Sequence, residues 1–285
     1  EPGVRRIVAP NPSPMTYRGT NTYLLCTRAL AVIDPGPAHE AHLAAILAAL
    51  TTDQYVSHIL VTHTHLDHSP LARPLAEATG APILALGDAT AGRSEVKQAL
   101  AEGGEIGGGE GIDTEFRPDQ TLTDGQVITG DGWSLEALHT PGHIGNHLSF
   151  AYGDACFTAD HVRGWASSLV SPPDGDLTDF MASCARLQQR EWRVFYPGHG
   201  GQIDTPAARL DWLITHRKSR ETSILEALQD GPATAADLAA QIYTGTPAAL
   251  LGAASRNVLA LLVDLTGISQ VAPEGPLHVE ATFRR

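Results

Sequence analysis

His63-Thr64-His65-Leu66-Asp67-His68 is the stretch on which the reading of this chain turns. It carries four good metal ligands within six residues, and it starts where the branched, apolar residues 55–62 stop. Those preceding residues have the composition of a β-strand. Strand-to-loop junctions are where a rigid sheet presents functional side chains to a shared site. His63 and His65 are two apart, so on an extended or turning backbone both rings can converge on one ion. Asp67 and His68 follow on the turn and can face a second. Imidazole and carboxylate without thiolate suit zinc foremost, with iron or manganese as alternatives.

Two ions need more ligands than this cluster supplies. Three further residues sit in equivalent places: His143 in Thr140-Pro141-Gly142-His143, Asp160 after residues 156–158, and His199 in Pro197-Gly198-His199-Gly200. Each follows a strand-like run. His139, His147 and His161 lie beside these positions and read as supporting groups that orient loops or ligands. Asp34, in Ile33-Asp34-Pro35-Gly36, reads either as an outer partner of a ligand or as a turn carboxylate.

Outward from these positions, strand-like and helical runs alternate. Residues 21–26 and 30–34 are short β-runs, and an Ala/Leu-rich helix follows to Leu50. Residues 73–79 read as a helix, 82–86 as a strand, and the Gly-rich, acidic 102–110 as a surface loop. Residues 126–128, 133–138, 147–152, 155–158 and 193–196 are further strands. Asp176 is a natural N-cap for a helix whose Leu177, Phe180, Met181, Cys184 and Leu187 share one face. Two β-rich halves with helices predict an α/β fold of sheet packed on sheet with helices outside. After Thr205-Pro206 the pattern changes to three helices (205–228, 234–242, 247–265) and a hairpin around residues 273–276, a winged-helix pattern. The division is placed at residues 1–212 for the catalytic part and 213–285 for the winged-helix-like part.

Composition narrows the classes. With 285 residues and 42% hydrophobic content the chain can bury a sizeable core. No uninterrupted run of ~18 apolar residues is present, so no transmembrane helix or membrane partner is expected. Its start, Glu1-Pro2-Gly3-Val4, has no apolar run behind it and does not read as a signal peptide. Cys26, Cys156 and Cys184 are too few and scattered for a disulfide framework, which points to a reducing, cytoplasmic setting. The formal net charge of −13 disfavours broad phosphate-backbone binding. That acidity sits in residues 1–212, with 13 basic against 25 acidic side chains, whereas residues 213–285 carry 6 against 7.

In order and identity, His63, His65, Asp67, His68, His143, Asp160 and His199 resemble the metallo-β-lactamase superfamily in its binuclear hydrolase form, over roughly residues 10–212. The resemblance implies an αββα sandwich. It implies one divalent metal held by His63, His65 and His143, a second by Asp67, His68 and His199, and Asp160 between them. Hydrolysis near neutral pH needs a hydroxide-like nucleophile, and a divalent ion lowers the pKa of bound water from ~15.7 to ~7. The expectation is a hydroxide shared by two ions and oriented by Asp67 as the catalytic residue. Ser69-Pro70 stands where the superfamily often has Gly-Gly, which leaves the ligands intact but alters the local turn.

Fold and ligands do not choose the substrate. Residues 18–23, residues 62–70 and Thr215-His216-Arg217-Lys218-Ser219-Arg220-Glu221 together resemble the β-lactamase-like protein 2 branch, whose best-known member is an endoribonuclease acting on single-stranded RNA. That implies RNA as substrate, with Arg217, Lys218 and Arg220 either holding phosphates at the domain junction or forming a solvated helix face. The acidity of residues 1–212 and the lack of an aromatic-plus-basic pattern count against it. The alternative is a small-molecule ester or thioester hydrolase of the hydroxyacylglutathione, lactone or lactam kind. A third class, a winged-helix regulator, needs residues 247–265 to enter the major groove of duplex DNA. Arg256 is the only cation there, so packing is the better reading. Substrate-binding residues and oligomeric state stay unassigned.

Overall fold

The computed structural model describes residues 3–25, 28–103 and 111–285. Cys26 and residues 104–110 of the expected acidic loop lie outside these. One sheet holds six strands in the order β1 (Val4–Val8), β2 (Asn21–Leu25), β3 (Ala29–Ile33), β4 (Tyr55–Leu60), β5 (Ile83–Ala85) and β6 (Gln120–Thr121). Its first three strands pair antiparallel and the rest parallel. A second sheet runs β11 (Val194–Pro197), β10 (Ala155–Ala159), β9 (Leu148–Tyr152), β8 (Trp133–His139) and β7 (Val127–Gly130).

Period-two alternation explains how the layers stack. Tyr23, Leu25, Ala31, Ile33 and Leu60 of the first sheet meet Leu135, Ala137, Phe150 and Phe157 of the second in the inter-sheet core. Leu24, Leu30, Val32 and Ile59 point the other way, onto α1 (Glu40–Ala48) and α2 (Ala72–Thr79) through Ile46 and Leu75. Cys156 and Phe195 leave the second sheet's outer face for α4 (Leu177–Gln188) and α5 (Pro206–Ala227). This is the expected αββα sandwich. Asp176 caps α4 by accepting from the Asp179 backbone N–H at 3.2 Å, and Leu177, Phe180, Cys184 and Leu187 are buried as the spacing required.

The C-terminal part is a winged helix. It comprises α6 (Ala235–Ile242), α7 (Leu251–Gly267) and a small sheet in the order β12 (Ala233–Thr234), β14 (Thr282–Arg284), β13 (Ala272–Pro273). Thr234 closes a capping box with Asp237 at the start of α6. The helix α5 runs for 22 residues without a break: Leu210 and Leu213 join the same apolar core as Ile224, Val258 and Phe283. Residues 248–267 are long and apolar enough to cross a membrane by length and composition alone, although Ser255-Arg256-Asn257 and Asp264 interrupt the apolar run, in keeping with the expectation of no uninterrupted one. Half of that window is buried inside the fold, and α7 serves as the winged helix's core helix. Helix α3 (Glu95–Gly103) and strands β1 and β6 were not expected from sequence.

Candidate metal centre

Strand β4 ends at Leu60, and the backbone then crosses to the second sheet, where Thr62 C=O accepts from Leu148 N–H at 2.8 Å. This fixes the start of the His63–His68 loop at the open end of both sheets. The loops after β8, β10 and β11 reach the same end, so all seven expected residues come together. The candidate ligand atoms of His63, His65 and His143 lie within 4.8 Å of one another, as do those of Asp67, His68 and His199. Asp160 stands between the two sets. Its Oδ1 is 3.2 Å from His199 Nε2 and 3.7 Å from His68 Nε2, while its Oδ2 is 3.7 Å from His143 Nε2.

Most of the rings are held by one nitrogen so that the other faces the cluster. His63 Nδ1 is 2.9 Å from Thr62 Oγ1, His143 Nδ1 donates to Leu169 C=O at 2.7 Å, and His199 Nδ1 lies 3.3 Å from Gly19 O. His68 Nδ1 is 2.9 Å from Asp34 Oδ2, and Asp34 in turn accepts from Thr62 N–H and Thr62 Oγ1 at 2.8 and 2.7 Å. Asp34 is therefore the partner that holds the candidate ligand His68. Orientation by such partners fixes tautomer and basicity. The facing atoms are short of partners: His63 Nε2 is buried and has no hydrogen bond, and His68 Nε2 and Asp160 Oδ1 lack an aligned one. Buried polar atoms are ordinarily satisfied. A divalent cation is what this donor set fits.

Electrostatics agree. Burial pushes His63 and His65 below the ordinary imidazole range, and burial together with His65 brings His143 down to about 3. Those three are neutral, the form that donates a lone pair. Burial also acts to lower His68 and His199, but the Asp67, Asp34 and Asp160 carboxylates outweigh it and hold both above the ordinary range. For Asp67 and Asp160 burial acts upward, and the facing His68 and His199 overcome it, leaving both carboxylates ionised.

Glycine has a steric job in each Pro-Gly-His turn. A Cβ on Gly198 would stand 2.6 Å from Asp160 Oδ1 and 2.7 Å from His68 Cε1. One on Gly142 would stand 2.3 Å from Phe180 Cα. The flanking histidines do as expected: His139 Nε2 is 2.9 Å from Gly145 O, His147 Nδ1 is 3.0 Å from Thr140 Oγ1, and His161 is fully buried with Nε2 3.6 Å from Cys184 Sγ. Ser69 Oγ, at the departure from Gly-Gly, donates to Asp113 Oδ2 at 2.8 Å and pins the loop's end. Sequence reading missed Thr20, whose hydroxyl donates to Asp67 Oδ2 at 3.0 Å, and Arg163, whose Nη2 is 3.8 Å from Asp160 Oδ2. Thr20 lies in the Arg18–Tyr23 segment already singled out, and Arg163 is one helical-turn spacing from Asp160.

The basic cluster of α5 needs correction. Arg217 is 2% exposed and cannot hold substrate phosphate: its Nη1 donates to Asn257 Oδ1 at 2.9 Å and its Nη2 to Ser168 C=O. Lys218 is exposed, and Arg220 lies over the Tyr243 ring at 4.5 Å. In α7, Arg256 points back at the sandwich, donating to Ser171 Oγ at 2.9 Å and to Pro172 C=O. The sequence's one groove-reading cation in that helix is thus turned inward.

Comparison with known proteins agrees with this architecture. Residues 15–199 match the family model of the metallo-beta-lactamase superfamily, and residues 234–275 match that of the beta-lactamase associated winged helix domain. A Caenorhabditis elegans "Beta-lactamase-like protein 2 homolog" is 30% identical over 92% of this chain and 83% of its own length. An Aspergillus fumigatus "Atrochrysone carboxyl ACP thioesterase" is 30% identical over 87% of this chain and 75% of its own. The crystal structure of a metallo-beta-lactamase family protein from Thermus thermophilus superposes with a TM-score of 0.78 at 28% identity, covering 100% of this chain and 99% of that one. The chain belongs to the metallo-beta-lactamase superfamily of hydrolases and carries a C-terminal winged-helix domain.

Proposed function

We propose that this chain hydrolyses small-molecule acyl esters or thioesters, using two divalent cations, zinc foremost. His63, His65 and His143 would hold one, Asp67, His68 and His199 the other, with Asp160 offering one oxygen to each. The observation that supports two cations is that split: Oδ1 of Asp160 faces His68 and His199, Oδ2 faces His143. A bound divalent cation supplies Lewis acidity, polarising the scissile carbonyl and bringing the pKa of water from ~15.7 towards ~7.

The chain's own residues position the reactants. Asp67, with 28% of its side chain exposed while Asp160 has 7%, is the carboxylate that reaches the approaching substrate and water. Thr20 Oγ1 donates to its Oδ2 and leaves Oδ1 to take a proton from that water. Burial of His63, His68 and His199, each 1% exposed or less, excludes bulk solvent from the ligand side. On the substrate, the withdrawal of Arg217 into the interior removes a phosphate contact and favours a small acyl compound over a polyanion. The name of the fungal thioesterase relative points the same way.

Cleavage of single-stranded RNA is the second reading. It draws on the likeness to β-lactamase-like protein 2 homologs and on the exposed Tyr17 and Trp165 rings, stacked at 5.4 Å with Arg18 over Tyr17 at 5.5 Å. Base stacking on such platforms is sequence-tolerant. One panel separates the two: metal-reconstituted protein is offered an acyl thioester, an ester, a lactone and single-stranded RNA, each beside Asp67→Ala. Turnover of RNA alone would overturn the acyl reading.

A further inference from the structure

We propose that the cavity between the catalytic sandwich and the winged helix binds a flat aromatic acyl group bearing an anionic substituent. This deepens the acyl reading above and rests on it. The cavity measures about 260 Å³. An engineered cavity of about 150 Å³ holds one benzene ring, so this one suits a fused bicyclic group and is far too small for an oligonucleotide.

Its walls state what fits. Trp165, Trp212 and Tyr243 supply ring surfaces, and Leu250, Ala253 and Ala254 from the winged helix complete an apolar lining. Trp165 and Trp212 remain 39% and 45% exposed at its rim. Trp212 is itself rigidly stacked, parallel to His216 within 8° and covered by Arg209 at 4.3 Å. A fixed ring costs little entropy when a flat ligand docks on it.

Two guanidinium groups give the cavity a cationic end. Arg163 and Arg220 both line it, Arg163 facing Asp160 through Nη2 at 3.8 Å and Arg220 lying over the Tyr243 ring at 4.5 Å. Among the described residues the lining holds no carboxylate, in a chain of net charge −13. The cavity also shares its wall with the metal centre: Leu169, which lines it, accepts from His143 Nδ1, and Arg163 stands 3.8 Å from Asp160. At the rim, Trp165 stands against Gly200, the residue after His199, where an added Cβ would be 3.1 Å from Trp165 Cδ1, so an acyl group whose carbonyl sits at the metal centre has this cavity as its neighbouring apolar recess. The winged helix then acts as a specificity wall for the catalytic half, in place of a nucleic-acid reader.

Two measurements on the full chain test this separately from catalysis. Calorimetric titration of metal-free protein with 2-naphthoate and with naphthalene-2,6-dicarboxylate should show both binding, the dicarboxylate at least fivefold tighter. Ala253→Phe, which fills the cavity at a half-buried position, should weaken both at least tenfold, and Arg220→Met should erase the preference for the dicarboxylate; thermal melts of both variants establish folding. In turnover, the ratio of kcat/KM for a naphthoyl thioester over an acetyl thioester should fall at least tenfold in Ala253→Phe. Naphthoates that do not bind, or that bind folded Ala253→Phe and Arg220→Met as they bind the parent, overturn the proposal. Binding lost in Ala253→Phe, combined with no turnover of any thioester, upholds the cavity and sinks the acyl-hydrolase reading instead.

Discussion

The metal centre and the domain junction both bury polar groups, and they treat them in opposite ways. At the junction, Arg217 and Asn257 close on each other, Asn257 Oδ1 also accepts from Val170 N–H at 2.9 Å, and the Arg217 guanidinium lies 5.1 Å above Phe180. At the candidate metal centre, rings are anchored on the outside while inner nitrogens such as His63 Nε2 and His68 Nε2 are left without a hydrogen bond. Polar groups that satisfy each other hold structure. Polar groups that converge without satisfying each other await a third party.

If that contrast is right, changes at the two places should be read out by different measurements. The largest effect belongs to the metal centre: Asp67→Ala should lower kcat/KM by about 10²–10⁴-fold, the usual range for losing a positioned proton acceptor. Stripping metal with a chelator should do at least as much and lower the melting temperature, because a ligand that binds only the folded state stabilises it. Equal activity before and after stripping would break the comparison. Next, Asp34→Ala should weaken metal affinity about 10–100-fold by freeing His68, measured by competition with a chromogenic chelator. At the junction, Arg217→Met should cost about 1–3 kcal/mol in denaturant unfolding, since Ser168 C=O loses its donor, while metal affinity stays put. A metal-affinity loss in Arg217→Met matching that of Asp34→Ala would erase the distinction.

Acid provides the most graded test. His68 and His199 are held above the ordinary imidazole range by Asp67, Asp34 and Asp160, so below those raised values each carries a proton that a cation must displace. Metal affinity should therefore fall as pH falls, by up to about tenfold per unit for each proton released. Affinity independent of pH between 5 and 8 would show that these carboxylates do not face the histidines.

The sequence made the candidate ligands readable because ligand chemistry is local: His63 to His68 are adjacent, and His143, Asp160 and His199 each follow a strand. The sandwich was readable because its strands alternate. What escaped was either long-range or short. Thr20 reaches Asp67 across 47 positions, and only the fold reveals it. Strand β6 has two exposed residues and β1 carries Arg5 and Arg6 in place of a clean apolar face, so neither shows a period. Arg217 was misplaced although a clue existed: it shares the buried face of α5 with Leu210, Leu213 and Ile224, at spacings of three, four and seven. A cation on an apolar stripe is an interior group in search of acceptors, and its basic neighbours on the outer face disguised it.

The unbroken helix α5 has one more consequence. At 1.5 Å per residue its 22 residues form a rod of about 33 Å, planted at one end in the sandwich and at the other in the winged helix. Neither half owns it, so neither can melt alone without stripping cover from the other. The molecule should lose its structure in a single heat-absorption peak in scanning calorimetry, and two resolved peaks would mean that the shared rod transmits nothing.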